Sequence, residues 1–345
     1  MNEMNARYLP NVLATPTQLI DAKGQAHFGL FENSVTELNF AAFPYRTVMD
    51  KVAGKLSRHF SAKQFQFVSV CGPDWLLAVA IADIRYASSG FAYFFQQGKP
   101  TIETGILLPL QMGCQMSESP VKGTASLRRG GISWQITPSA GAWQLCLNTP
   151  EIQAELSLAK AEQLPLALCG PTAYQGLTYT EKNNALSVSG QLTVAGQTID
   201  LSQALGNYDF SAGFMRRETS WRWASLNTWL DGEKLGFNLA AGVNETGLTE
   251  NALWFQGQRQ HLSSAQFQFD RLDSNSMWQI NTLCGEVNLQ FTPQFCRQER
   301  VQALILASNF RQYVGHFSGE LQLLDGRRLT LNNHLGLVED HYAKW

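Results

Sequence analysis

The chain has 345 residues, enough for two ordinary domains or one very large β structure. Hydrophobic residues make up 44%, which supplies a full core, while charged residues make up only 16%, so the polar surface must come mostly from Gln, Asn, Ser and Thr. Net charge is -2 and the basic residues are scattered in pairs such as Arg128–Arg129, Arg216–Arg217 and Arg327–Arg328; nucleic-acid binding needs a concentrated basic face and is not expected.

The opening segment, residues 1–18, carries an acid and prolines without an apolar stretch, so no secretory signal is expected. Tyr45, Val48, Met49, Val52, Leu56 and Phe60 then keep helical spacing behind Pro44, which predicts one amphipathic helix near residues 45–60. Such a helix would pack on a sheet or close a barrel end. The run 75–82 is apolar but too short to cross a bilayer as a helix, and the cytoplasm is the expected location. Asp83 interrupts that run and shares a strand face with Arg85, as a structural ion pair at a barrel mouth would.

Strand signals dominate the rest. Segment 151–160 alternates Ile152, Ala154, Leu156 and Leu158 with period two. Segments 186–200 and 321–331 each read as strand, Gly turn, strand, and Asp231-Gly232 separates 221–229 from 235–241 in the same way. The cysteines at 71, 114, 146, 169, 284 and 296 fall in apolar runs without a C-x-x-C pair, and read as buried thiols.

A repeat is visible. Ser189-Gly190-Gln191-Leu192, then Gly196, Leu201 and Leu205-Gly206, matches Ser318-Gly319-Glu320-Leu321, then Gly326, Leu331 and Leu335-Gly336, which aligns Asp209 with Glu339. Trp134-Gln135-Ile136 with Gly141 and Leu145 matches Trp278-Gln279-Ile280 with Gly285 and Leu289. Phe65-x-Phe67-x-Ser69 resembles Trp221-x-Trp223-x-Ser225, and 92–96 resembles 252–256. Four collinear matches imply two copies of one antiparallel unit. Closing each copy on itself hides its edges, and about eight strands per copy would make a barrel able to hold one small ligand. The predicted fold is therefore all-β: two tandem lipocalin-like antiparallel β-barrels, the first in residues 1–205 with insertions and the second in 206–345.

The run Arg216-Arg217-Glu218-Thr219-Ser220-Trp221-Arg222-Trp223-Ala224-Ser225 resembles an uncharacterised bacterial family, the domain of unknown function 2804 family. So do Gly236-Phe237-Asn238-Leu239, Glu250-Asn251-Ala252, the Tyr179-Thr180-Glu181-Lys182 segment and the ending 336–345. That family is distantly similar to the carotenoid hydratase, tocopherol cyclase and lipocalin-type cyclase group, which shares a double lipocalin-like fold. The resemblance implies the fold, and a chemistry on long apolar substrates without a redox cofactor.

Candidate site residues follow from polar groups set among apolar strands. Trp221 and Trp223 share one strand face, with Glu218, Ser220 and Arg222 on the other. The indoles would line a pocket, or fill a barrel floor with Arg222 across a ring as a cation–π cover. Glu250 and Asn251 precede an apolar strand and Asn238 lies within one; a carboxyl in an apolar pocket has its pKa raised and can act as a general acid. Glu218 and Glu250 are thus the candidate catalytic acids. Trp221, Trp223, Asn238, Asn251 and His316 are the candidate ligand contacts. Asp209 and Glu339, matching in both copies, point to a role in the fold. Asp340-His341 beside Glu339 could form an acid–base pair. Nucleotide-binding, nucleophile-elbow and zinc motifs are absent, so no metal and no cofactor are expected. Three readings stand: a carrier of an apolar small molecule, a cofactor-free hydratase, isomerase or cyclase, and a protein-interaction module.

Overall fold

The computed structural model describes residues 10–139, 141–243, 247–303 and 306–345. They form two compact units, Val12–Arg217, and Glu218–Trp345 together with Pro10 and Asn11. The sequence boundary at 205/206 falls at the start of a strand, Leu205–Phe214, which pairs with two strands of the first unit; the units divide twelve residues later in the chain, after Arg217.

In the first unit the principal strands are β1 (Ala62–Cys71), β2 (Trp75–Asp83), β3 (Ala87–Gln96), β4 (Ile102–Pro109), β5 (Ala125–Arg129), β6 (Ile132–Ser139), β7 (Ala142–Asn148), β8 (Ile152–Ala159), β9 (Leu166–Thr172), β10 (Gly176–Val194) and β11 (Leu205–Phe214). They run in the order β4-β3-β2-β1-β11-β10-β8-β7-β6-β5, with β9 also on β10. Strand β5 touches β2 and β3 across the interior, so the sheet curls onto itself around one core. In the second unit β12 (Glu218–Leu230), β13 (Glu233–Ala241), β14 (Ala252–Phe255), β15 (Gln258–His261), β16 (Ala265–Gln268), β17 (Trp278–Thr282), β18 (Val287–Ala303), β19 (Leu306–Gln322) and β20 (Arg328–Lys344) run in the order β15-β14-β13-β12-β20-β19-β18-β17-β16. Contact between β13 and β16 curls this sheet around a second core. Period-two alternation produces both curls, because it gives each strand one apolar face to bury.

The repeat is a repeat of registers. Ile136 faces Leu145 in the first unit, as Ile280 faces Leu289 in the second. Asp209 sits between Phe67 and Lys182, as Glu339 sits between Trp223 and Gln312. Gly190 and Gly319 both hold positive φ, 121° and 132°, where a Cβ would lie 2.0 Å from the Glu155 carbonyl and 2.3 Å from that of Asn288. Only glycine permits the strand to bend there.

Two expectations need correction. The stretch at 45–60 is not one packed helix. Residues 45–53 form a small hairpin, with Arg46 bridged to Val52 and Asp50 in the left-handed region at φ 58°, and the only α-helix among the described residues is the short Lys55–Ser61. Gly54 is extended and breaks the chain between them, and Val48, Met49, Val52 and Leu56 are 72–75% exposed. Of the cysteines, all free thiols, Cys71 and Cys169 are buried whereas Cys146 points outward. Burial pushes the Cys71 thiol up to about 12.

Candidate functional site

The polar segment Thr178–Asn184 lies on β10, between two neighbours, and is buried throughout. Alternation sends Tyr179 and Glu181 to the core face. Glu181 has no exposed surface. Its carboxylate accepts hydrogen bonds from the Tyr179 hydroxyl at 2.9 Å and the Tyr208 hydroxyl at 2.7 Å, and pairs with Lys160 Nζ at 2.9 Å. The Tyr179 oxygen in turn accepts the Val35 N–H at 3.1 Å. Tyr208 lies flat on Trp143, with ring centroids 4.0 Å apart and planes at 9°. Burial first, and the neighbouring Glu181 second, raise both phenols well above the ordinary tyrosine value, so both remain protonated donors.

Register extends this cluster sideways. Glu181 faces Phe210, and Phe210 faces Gln66 on β1, so the three form one row on the core face. Gln66 is 1% exposed, yet neither its amide oxygen nor its amide nitrogen has a protein partner among the described residues. The same holds for Trp143 Nε1. Leaving a buried donor or acceptor unpaired costs on the order of 1–3 kcal/mol. The first barrel thus carries a satisfied carboxylate and, at Gln66 and Trp143, buried polar atoms without a partner among the described residues.

The equivalent row of the second unit is Arg311, Asp340 and Arg222. Asp340 pairs with Arg222 at 3.2 Å, with Arg311 at 3.3 Å, and with Arg271 through bonds of 2.8 and 3.0 Å. Arg222 therefore serves Asp340 and does not cover an indole. On the opposite face Glu339 accepts from Trp221 Nε1 at 2.8 Å and from the Gln312 amide at 2.9 Å, consistent with a part in the fold. His341 Nε2 lies 2.9 Å from the Ser308 hydroxyl, while its Nδ1 stands 3.8 Å from Glu339, beyond hydrogen-bond reach.

The residues expected to form a site are only partly brought together. Glu218 has a side chain 56% exposed and accepts from the Tyr342 hydroxyl at 2.8 Å. Trp223 donates to Asn238 at 2.7 Å, Asn238 donates to the Glu250 carbonyl at 2.6 Å, and Asn251 bridges the Ala240 N–H and the Ser263 carbonyl. These amides stitch the segment before β14 onto β13. The Glu250 side chain is buried beside them. His316, between Leu335 and Thr292, is buried too, and burial lowers its pKa. A groove of about 450 Å³ lies along the β18–β19 end, lined by Arg300, Ser308, Asn309, Tyr342 and Lys344, and none of the expected residues reaches it. Among the described residues no three His, Cys, Asp or Glu side chains are grouped as a metal ion requires. Sequence reading missed Glu181, Tyr208, Lys160, Trp143 and Gln66 as a cluster. The available signal was the i, i+2 pair Tyr179 and Glu181 on one strand face.

Two curled antiparallel sheets repeated in one chain define a tandem lipocalin-like β-barrel protein. The chain belongs to the family described as domain of unknown function (DUF2804), whose model matches residues 11–345. No curated protein matches the sequence. Among solved structures, CghA with Sch210972 is similar at 11% identity and a TM-score of 0.55, covering 94% of this chain and 97% of that one. A structure described as AttH from Nitrosomonas europaea is similar at 12% identity and a TM-score of 0.50, covering 81% and 92%. Kievitone hydratase from Nectria haematococca gives 9% identity and a TM-score of 0.47, covering 81% and 88%. At such identity the likeness to CghA speaks for the fold alone.

Proposed function

We propose that the chain binds a largely apolar small molecule inside its first barrel, oriented by the polar row around Glu181. The observation that carries this reading is the Gln66 amide, buried on the core face with neither polar atom partnered among the described residues. A ligand carbonyl or hydroxyl would satisfy it, as the few convergent polar groups of an apolar pocket commonly do. Trp143 Nε1 offers a second donor beside the Tyr208 ring. Native mass spectrometry of the protein from its own host, followed by extraction, tests the reading. A recurrent bound species that is lost in Gln66→Leu is expected; an empty protein in every preparation would overturn it.

A second reading is a cofactor-free hydratase, isomerase or cyclase. It is favoured by a carboxylate at zero exposure, held by two phenols and by Lys160, which could act as a general base that takes a proton from a bound ligand and returns it at another carbon. Glu181 suits that role better than Glu218, which faces solvent, and Glu250 is the alternative acid. Trp223, Asn238 and Asn251 we assign to holding the second barrel's rim, so Asn251→Ala should lower Tm and leave ligand occupancy unchanged. Conversion of an extracted ligand by wild type and not by Glu181→Gln would establish the catalytic reading; equal conversion by both would remove it.

A further inference from the structure

The hairpin at 45–53 and the helix Lys55–Ser61 combine an anchored base with a bare apolar tip. At the base, Tyr45 stacks on Phe214 at 4.6 Å, and Arg58 caps the Phe43 and Ala41 carbonyls at 2.5 and 3.0 Å while lying 5.1 Å over the same Phe214 ring. The tip is closed by Thr47 N–H to the Lys51 carbonyl and Asp50 N–H to the Thr47 carbonyl. Val48 and Met49 in the turn, Val52 on the returning arm and Leu56 on the helix are 72–75% exposed, although hairpin and helix are fixed at their root.

The surroundings of these side chains indicate what they meet. The Gln175 amide donates to Asp50 at 3.1 Å, on the only acidic group of the segment. Arg46, Lys51, Lys55 and Arg58 outnumber that single acid in a chain whose net charge is -2. Exposed apolar side chains and flanking lysines are the composition of a segment seated at the lipid–water boundary, where apolar groups enter the acyl layer and cations stay at the head groups.

We infer that this hairpin and helix dock the protein on an anionic bilayer surface. The apolar tip enters the interfacial layer and Lys51 and Lys55 meet the lipid phosphates. The inference is independent of what the first barrel binds.

Flotation of the full chain with vesicles of phosphatidylcholine, with and without an equal part of phosphatidylglycerol, tests it. Binding to the anionic vesicles is expected, weakened by added salt, and reduced about tenfold in Met49→Ser/Val52→Ser and in Lys51→Glu/Lys55→Glu. The substituted positions are exposed, and an unchanged Tm verifies that folding is intact. Absence of binding, or binding equal in wild type and both variants, would overturn the inference. So would a concentration-dependent dimer that the same substitutions abolish, because the occupant would then be a second copy.

Discussion

The two units set chemically opposite rows at one register. In the first, Glu181, Phe210 and Gln66 face the core; in the second, the matching positions are Arg311, Asp340 and Arg222. The first row is wholly buried and centred on an acid whose donors are phenols and one lysine. The second is centred on one carboxylate among three guanidinium groups, two of which keep 29% and 47% side-chain exposure. The two units share one frame and differ in their interior chemistry. The first row has atoms without a partner among the described residues, which a ligand could use, whereas the second is a charge clamp whose Arg222 and Arg271 are partly exposed.

That contrast can be broken by mutation, and Glu181 should show the largest effect. Glu181→Ala strips the acceptor from two buried hydroxyls and a half-buried ammonium, and should cost about 3–5 kcal/mol of unfolding free energy; denaturant titration will measure it. A loss below about 1 kcal/mol would mean that the cluster is not as dry as its burial indicates. Next, Gly190→Ala and Gly319→Ala force a Cβ against a neighbouring carbonyl at positive φ. Each should cost about 2–3 kcal/mol, and equal losses in Tm would confirm that the two bends are equivalent. Asp340→Ala releases three arginines that solvent partly reaches, so about 2 kcal/mol is expected. Added sulfate should recover part of it, as it should not for Glu181→Ala.

The smallest effect is one of pH. Burial first, and the Arg259 charge second, lower the His261 pKa from 6.5 to about 4, and its Nε2 has no partner among the described residues. Between those values the unfolded chain binds the proton more readily than the folded one. The His261 contribution is therefore complete above about pH 6.5 and declines towards pH 4, by at most about 1.4 kcal/mol per pH unit. His261→Gln should flatten that part of the stability profile, measured by thermal melts across the range.

Much of the frame was legible in the sequence. The repeated Ser-Gly and Trp-Gln-Ile blocks survive as matching bends and matching registers because they sit where geometry leaves little choice: a glycine against a carbonyl, an indole in a core. The helix at 45–60 was misread because spacing alone cannot separate an apolar face that packs from one that stays bare; Gly54 and the turn at Asp50 decided it. The Glu181 cluster was legible only as the i, i+2 pair Tyr179 and Glu181, for another reason. Thr178 to Asn184 is polar and reads as an exposed face, and only the pairing of β10 with β9 and β11 buries it. Its partners Lys160 and Tyr208 lie 21 and 27 residues away, so no local pattern joins them. Glu250, Asn238 and Asn251 stood out because polar groups beside apolar strands are rare, and the same rarity marks residues that fasten a segment.

The central claim is that the first barrel's row, and not the second's, receives a small molecule. Ligand occupancy in native mass spectra should be compared for wild type, Gln66→Leu and Arg222→Gln, all purified identically from the native host. The account predicts a bound species in wild type and Arg222→Gln that is lost or at least about tenfold depleted in Gln66→Leu. Occupancy untouched by Gln66→Leu and lost in Arg222→Gln would contradict it, and would move the site to the second barrel.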